Sequence, residues 1–270
     1  MPCDLDPARN RSADGRRTLL AALPLALLTV GPSVLRARTR QTEQGEKASA
    51  IALPAPVEQR FQVFYGDMSG NANVAEVTYR LQHDASTYEV GTHAKAIGVI
   101  ALFYSGTLIQ NSRGRIGPQG LQPERYSERR GKRPERVVRF DYERDKMIGN
   151  GDPAEIALVP GTQDRLSIFY QLGLLARRDP KRFEAGRRFS LPLASMKTID
   201  QPTFAMAGLD NVKTARGPVP ALRITVRNEA DPKDPVIDVW LATAESMLPA
   251  RIRVADHDGK VIDQVFLPPA

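Results

Sequence analysis

The stretch GTQDRLSIFYQLGLLARR, residues 161–178, decides the fold because it has helical character in a chain otherwise made of strand-like segments. We predict a helix over Gln163–Arg178, with Thr162 or Asp164 near its N-cap and basic residues at its negative end. At 100° per residue, the polar residues form one narrow stripe: Asp164, Ser167, Gln171 and Arg178. A helix on a flat surface needs an apolar stripe of only about 100°. This helix is apolar over more than half its turn, so it should lie in a concavity.

Alternating segments on both sides of the helix predict the surface that covers it. In ALRITVRN, the side chains of Leu222, Ile224 and Val226 face one way and the polar side chains face the other. In DHDGK, residues 256–260, an Asp-Gly pair between two alternating runs indicates a hairpin. Such alternation is typical of antiparallel sheets with one wet face. The predicted fold class is mainly β: a curved antiparallel sheet, or an open or partly closed barrel, with one principal α-helix packed in its concavity.

The N-terminus has the layout of a bacterial export signal. A basic region ending at Arg16 and Arg17 precedes an uncharged run of 17 residues, 19–35, and Ala37 suits a cleavage site. A spanning helix needs about 20 apolar residues, so a cleaved signal is favoured over an inner-membrane anchor, which stays the alternative. The paired arginines resemble a twin-arginine signal, although the general secretory route is favoured. The predicted location is the periplasm.

The chain therefore divides into three predicted parts. They are an export signal at residues 1–37, a linker at 38–59 and a single mainly-β domain at 60–270. The linker is assigned because its polar, then Ala- and Pro-rich sequence shows no sustained period.

Five segments resemble those that recur in a bacterial exported family, domain of unknown function 3108. They are GLQPERYSERR, RFDYERDK, PGTQDRLSIFYQL, LDNVKTARGPVPALRI and WLATAESMLPARIRVADHDGKVIDQ. The resemblance covers about Phe61 to Leu267 and implies an exported, mostly β domain with one helix. It implies no activity and no catalytic residues. The predicted architecture is also similar, at the level of fold alone, to periplasmic carriers of lipoproteins, and fold does not fix function.

Residue types that carry catalytic or metal chemistry are scarce in suitable spacings. His83, His93 and His257 match no metal-ligand pattern, and no nucleophile elbow, phosphate loop or dinucleotide fingerprint is found. Asp256 and Asp258 flank His257, which could bind a cation, but a polar hairpin turn is the favoured interpretation. We predict no catalytic residue, no metal site and no cofactor.

Two features suggest binding sites instead. The first is the helix together with the apolar run AIGVIALFYSGTLI, residues 96–109, which could contact an acyl chain. The predicted ligand-binding residues are Leu166, Phe169, Tyr170, Leu172, Ile100 and Phe103. The alternative is that both segments are ordinary buried core.

The second feature is the basic hairpin RYSERRGKRPERVVRF, residues 125–140, with Gly131 and Pro134 at its bend. The predicted contacts with anionic phosphates of a membrane or glycolipid are Arg129, Arg130, Lys132, Arg133 and Arg136. The alternative is a charged hairpin that stays soluble and blunts edge pairing. Nucleic acid is not expected as a partner, because no aromatic platform is interleaved with these charges.

Three functions remain open. The favoured one is a periplasmic protein that binds or carries an apolar, lipid-like ligand. Its predicted partner is a lipid or an envelope component. Its predicted contact with the membrane is only peripheral, unless the signal is uncleaved. The alternative is a structural or interaction protein of the envelope with no small-molecule ligand. The second alternative is a hydrolase, for which the sequence offers no candidate residues. Whether the protein is an enzyme is therefore uncertain, and the non-enzymatic functions are favoured.

Overall fold

The computed structural model describes residues 53–66, 73–97, 106–149 and 155–269. Within these ranges there is one α-helix, α1 (Ser167–Arg178), followed by a 3₁₀ helix (Pro180–Phe183). The strands are β1 (Val57–Tyr65), β2 (Asn73–His83), β3 (Thr87–Ala96), β4 (Thr107–Gly117), β5 (Gly120–Arg130), β6 (Arg136–Asp141), β7 (Lys146–Gly149), β8 (Glu155–Ala157), β9 (Arg188–Ser190), β10 (Leu193–Ala194), β11 (Ile199–Asp200), β12 (Thr203–Thr214), β13 (Gly217–Arg227), β14 (Val236–Ala242), β15 (Leu248–Ala255) and β16 (Val261–Leu267). None of these helices is long and apolar enough to cross a membrane.

Fourteen of the described strands form one antiparallel sheet. Their order is β8-β7-β6-β5-β4-β3-β2-β1-β16-β15-β14-β13-β12-β9, so the last strand pairs with the first in the middle of the sheet. Strands β8 and β9 are edges, and the sheet is not closed into a barrel. Strands β10 and β11 form a separate ribbon. The predicted mainly-β, antiparallel fold is confirmed.

The sheet curves around α1. The helix packs against both β5 and β15, which are six places apart in the strand order. Six strand spacings would separate them by about 29 Å in a flat sheet. A helix with its side chains is only about 10–12 Å across. Both contacts are possible only if the sheet bends, which places α1 in the predicted concavity.

The apolar surface of α1 is shared between the two halves of the sheet. On one side, Tyr170 and Leu174 join the core cluster built mainly on β1–β7. On the other side, Ile168, Leu172 and Ala176 join the cluster built on β12–β14. A helix with apolar residues around most of its turn thus has an apolar partner in nearly every direction.

The helix begins at Ser167, four residues later than predicted, because Asp164 caps it from outside. Asp164 Oδ1 accepts hydrogen bonds from the backbone N–H groups of Leu166 (2.8 Å) and Ser167 (2.9 Å). In return, the Ser167 hydroxyl oxygen accepts from the backbone N–H of Asp164 at 2.9 Å. This reciprocal arrangement resembles a capping box and satisfies three backbone N–H groups at the helix start.

The predicted polar stripe is used for packing as well. Gln171 accepts a hydrogen bond from the backbone N–H of Leu121 (2.8 Å) and donates to the carbonyl of Gln119 (2.9 Å). Arg178 donates to the carbonyl of Pro118 at 2.9 Å. The stripe therefore lies on the turn between β4 and β5 and satisfies backbone groups that this turn leaves unpaired.

Gly173 lets α1 approach the turn between β14 and β15. A Cβ atom at this position would lie 2.6 Å from the carbonyl oxygen of Met247. Real Cβ atoms essentially never come so close to another heavy atom, so any larger residue would push the helix away from the turn.

The opposite face of the sheet carries a polar cluster around Trp240. The guanidinium groups of Arg223 and Arg251 lie 5.1 and 4.6 Å from the centroid of its ring. The indole N–H donates to Asp210 Oδ2 at 2.9 Å, and Arg251 binds the buried Asp263 through two bonds of 2.8 and 2.6 Å. Strand β12, which carries Asp210, also contacts β16, so it crosses this face of the sheet.

The predicted division into signal, linker and a domain at 60–270 stays a prediction, and the structure describes ordered residues before residue 60. Strand β1 begins at Val57, and Leu53 is buried in the core cluster of β1–β7. The predicted export signal at residues 1–37 lies outside the described residues and stays a prediction.

Candidate functional site

An apolar cleft lies between the N-terminal half of α1 and the concave face of the sheet. Its volume is about 340 Å³. Strands β12–β16 form its floor, and the β10–β11 ribbon borders it. The apolar side chains that line it are Leu166, Ile168, Phe169, Leu172, Leu193, Ala194, Pro202, Phe204, Val226, Pro235, Ile237, Val239, Ile252 and Val254.

Three of the six predicted ligand-binding residues line this cleft: Leu166, Phe169 and Leu172. Leu166 and Leu172 are almost fully buried, at 2% and 0% exposure, so their side chains already belong to the core. Phe169 is only partly buried and packs against both core clusters. Phe169 is therefore the helical side chain with the most surface available to a ligand.

The other three predicted residues lie elsewhere. Tyr170 is buried on the side of α1 that packs against β1–β7 and does not line the cleft. Ile100 and Phe103 lie outside the described residues, and their prediction stays untested.

The sheet wall of the cleft was not identified from the sequence. Val226 was placed on the apolar face of its strand, but its position in the cleft depends on neighbours distant in sequence. Ile237 pairs with Val254, and Val239 pairs with Ile252, which places all four on the same surface. The alternating pattern signals a buried face, but only the strand order shows where that face stays partly open.

A row of polar residues runs across the concave face beside the cleft. Strand pairing joins Tyr79 on β2 to Thr92 on β3, then to Gln110 on β4, Glu128 on β5 and Arg136 on β6. We call these five residues the polar row. Because paired residues share a face, their side chains all point to the helix side of the sheet. Tyr79 and Gln110 also line the cleft.

Hydrogen bonds connect the polar row through Tyr126. Thr92 donates to Gln110 (3.3 Å), and Gln110 donates to the hydroxyl of Tyr126 (2.7 Å). That hydroxyl lies 3.5 Å from Glu128 Oε2, and Arg136 donates to Glu128 Oε1 at 3.2 Å. Burial raises the pKa of the Tyr126 phenol well above its ordinary value, so it stays a hydroxyl that can donate. An unbroken polar path thus joins the cleft to the arginines of the basic hairpin.

Tyr79 contributes a second protonated phenol to the wall of the cleft. Its hydroxyl donates to Gln264 Oε1 at 2.9 Å, and Gln264 also lines the cleft. Burial raises the pKa of Tyr79 well above its ordinary value, so the group is uncharged over the physiological range.

Three charged residues line the cleft: Arg165, Asp200 and Asp234. Arg165 is exposed at the mouth and makes no ion pair within the part of the chain that the structure describes. It lies close enough to Tyr126 to lower the pKa of that phenol slightly. Asp200 and Asp234 also line the cleft, where Asp234 accepts a hydrogen bond from Asn228 at 2.7 Å.

All five basic residues predicted to contact phosphate are exposed on the β5–β6 hairpin, and Gly131 turns the chain there with a φ of 55°. Arg130 and Arg136 approach Glu128 at 3.7 and 3.2 Å, and Glu128 is only 2% exposed. Arg130, Arg133 and Arg136 line a small pocket of about 210 Å³ with Glu128 at its base. We call it the arginine pocket. Arg129 and Lys132 do not line it.

Asp164 is the most perturbed carboxyl group near the helix. It is fully buried, and Ser112, which contacts the Tyr88 hydroxyl, donates to its Oδ2 at 2.5 Å. Burial raises its pKa to about 6, although the hydrogen bonds from Ser112, Leu166 and Ser167 oppose the shift. Asp164 does not line the cleft, so its role is in the packing of the helix start.

Two of the three histidines make local contacts, and His93 is exposed on β3. His83 lies 2.8 Å from the carbonyl of Pro54, and His257 lies between Asp256 (2.7 Å) and Asp258 (2.9 Å) in the β15–β16 turn. Among the described residues, no group of three or more His, Cys, Asp and Glu side chains is arranged to hold a metal ion.

A comparison with protein families finds a match over most of the chain. A family model described as "Protein of unknown function (DUF3108)" matches residues 60–264. No curated protein sequence matches.

Solved structures resemble the chain only distantly. A DUF1089 family protein from Pseudomonas aeruginosa is 12% identical, with 73% of this chain and 91% of that chain covered and a TM-score of 0.30. The hypothetical lipoprotein YmcC from Escherichia coli is 10% identical, with 81% and 90% covered and a TM-score of 0.30. Likenesses this weak carry no argument about ligand or activity.

Proposed function

Because the chain belongs to the DUF3108 family, whose description states no function, we propose from the cleft itself that the protein binds a lipid-like ligand. The observation that carries this proposal is an open apolar cleft beside a helix that is buried almost everywhere else. Small-molecule sites are concave and mostly apolar, with volumes of about 300–1,000 Å³. At about 340 Å³, this cleft suits one acyl chain rather than several.

The composition of the wall supports an apolar ligand. Fourteen of the 22 lining residues are apolar, so most of the wall is hydrocarbon. Water in such a space would find few partners, so displacing it with a hydrocarbon chain is favourable at roughly 25 cal/mol per Å² of apolar surface. Phe169 would supply the helical contact, and Ile237 and Val254 the contact from the sheet.

We also propose that the protein works in the bacterial envelope after export to the periplasm. The support is the export-signal pattern at residues 1–37, which lies outside the described residues. A periplasmic lipid-binding protein must shield an acyl chain from water, and the cleft offers surface of that kind.

Native mass spectrometry of the protein, purified without detergent from its own cells, tests the proposal. We expect an added mass that organic extraction identifies as a lipid, and binding of the neutral probe N-phenyl-1-naphthylamine after extraction. Val254→Trp should fill the cleft and weaken probe binding at least roughly tenfold. Val261→Trp is the matched control, because Val261 lies on β16 with alternation that places it on the face opposite the cleft.

The contrary result is also informative. A protein that is empty when purified, and that binds neither the probe nor added lipids, would show that the helix only fills the core. The envelope interaction protein would then be the better function, with the exposed basic hairpin as its contact surface.

A further inference from the structure

We infer that the ligand of the cleft is an amphiphile with a phosphate-bearing headgroup, held by Arg165 and the arginine pocket. This inference rests on the proposed function, since it names the polar end of the molecule whose chain the cleft would take. It is argued from the polar row, the position of Arg165 and the charge of the arginine pocket.

The polar row is the first support. A cleft that takes only a hydrocarbon chain gains nothing from polar side chains in its wall, because buried polar groups must be satisfied at a cost in free energy. Here Tyr79 and Gln110 line the cleft on the side that leads to Glu128 and Arg136. The polar residues that line it elsewhere include Asp200 and Asp234, which repel an anion. An anionic end of the ligand would therefore leave the cleft toward the arginines.

The second support is the distance between the cleft and the arginine pocket. Gln110 is on β4 and Arg136 is on β6, and these strands are separated by two strand spacings. Two spacings are about 10 Å. A chain in the cleft can therefore be joined to a group in the arginine pocket by a short linker such as a glycerol or one sugar ring.

The third support is the state of the arginines. Glu128 is buried and approaches both Arg130 and Arg136, so it holds two guanidinium groups in place before any ligand binds. Arg133 completes the pocket and has no ion pair within the described ranges. Three guanidinium groups against one carboxylate leave an excess of positive charge.

Arg165 connects this charge to the cleft. It lines the mouth and influences the electrostatics of Tyr126, which lies within the polar path. Planar guanidinium groups bind phosphate through paired hydrogen bonds, and several of them can share one phosphate. A carboxylate would be satisfied by one guanidinium, whereas a phosphate offers enough acceptor oxygens for several.

The test compares two ligands with the same acyl chain, one with a phosphate and one without. Lysophosphatidic acid and monoacylglycerol, both below their aggregation concentrations, compete against N-phenyl-1-naphthylamine in the full-length protein. We expect lysophosphatidic acid to displace the probe at a concentration roughly tenfold lower or more. That preference should fall toward unity in Arg165→Gln and in Arg133→Gln.

These two variants are chosen because neither residue is paired with Glu128, so no buried carboxylate is left alone. Arg177→Gln is the matched control. Arg177 is exposed near the opposite end of the helix and does not line the cleft, so the preference should be retained.

Each other outcome overturns either this inference or the proposed function. If both ligands displace the probe equally, the cleft binds an apolar chain and the headgroup inference is wrong. If neither displaces it and the probe itself does not bind, the proposed function fails. If inorganic phosphate binds but the phosphate-bearing lipid is not preferred, the site takes free phosphate. If the variants lose only sedimentation with phosphatidylglycerol vesicles, the arginines contact a membrane surface instead.

Discussion

Replacing Asp164 by asparagine should remove a pH dependence from the stability of the protein. The carboxyl group is fully buried and accepts hydrogen bonds from Ser112, Leu166 and Ser167. Burial is the largest influence on its pKa and raises it from 3.8 to about 6. The exchange to asparagine keeps the shape and the capping acceptor, and the amide can donate to the Ser112 hydroxyl.

The sign of the effect follows from the direction of the shift. Because the pKa of Asp164 is higher in the folded state than in the unfolded chain, the folded state holds the proton more tightly. The stabilisation from this proton is complete below about pH 3.8 and is lost as the pH rises through about 6. A shift of roughly two units, at about 1.36 kcal/mol each, corresponds to about 3 kcal/mol.

Urea unfolding between pH 4 and pH 7.5, followed by tryptophan fluorescence, measures this difference. Relative to Asp164→Asn, the wild-type protein should lose roughly 2–3 kcal/mol of unfolding free energy over this range, nearly all of it below pH 7. Asp84→Asn is the control. Hydrogen bonds from Ser86 and Thr87 lower the pKa of Asp84 below its ordinary 3.8, so its contribution to stability is lost only below about pH 3.8, and Asp84→Asn should run nearly parallel to the wild-type protein over this range.

Parallel curves for the wild-type protein and Asp164→Asn would refute the reasoning. They would mean that Asp164 has the same pKa in the folded and unfolded states, and that its hydrogen bonds fully offset its burial. A wild-type protein that gains stability over Asp164→Asn as the pH rises would show that these bonds outweigh the burial.

Two further predictions concern packing. Gly173→Ala should destabilise the protein by about 1–2 kcal/mol in urea unfolding, because the clash with the Met247 carbonyl outweighs a gain in helix propensity of about 1 kcal/mol. Gly91→Ala, where a Cβ atom has room, is the control and should show no such loss. A Gly173→Ala protein that is more stable than the wild type would contradict the close approach of the helix to the turn. Asp210→Ala should lower the unfolding free energy by about 1–2 kcal/mol and shift the fluorescence of Trp240, the single tryptophan of the chain, since the indole N–H loses its acceptor. Asp210→Asn keeps an acceptor oxygen and should restore most of the stability and of the fluorescence. Unchanged fluorescence in Asp210→Ala would rule the hydrogen bond out.

Local sequence patterns were enough to predict the fold class and the surroundings of the helix. The apolar circumference of α1 is a property of twelve consecutive residues, and it requires cover on several sides wherever those residues lie. The β15–β16 hairpin is also local, since Asp256 and Lys260 close it around an Asp-Gly pair. Both were therefore predictable from short windows.

The candidate site depended on information that short windows do not contain. The polar row consists of residues on five strands, and only the pairing register places Tyr79, Gln110 and Glu128 side by side. Gln171 was recognised as polar, but the pattern did not show that a turn of the sheet would cover it. Likewise, Tyr170 and Phe169 are neighbours on the helix, and only the strand order decides which one faces the cleft.

The position of β16 has a consequence for how the chain can mature. This strand follows all the other described strands along the chain, yet it lies in the middle of the sheet, with β1 on one side and β15 on the other. Until residues 261–267 emerge from the ribosome, β1 and β15 are each unpaired on the side that β16 will occupy. No strand pairing then joins the two halves of the sheet. Joining β1 to β16 closes a loop of about 200 residues, which makes it an intrinsically slow event. A nascent chain of this protein therefore stays open, and accessible to chaperones, until residues 261–267 have been made.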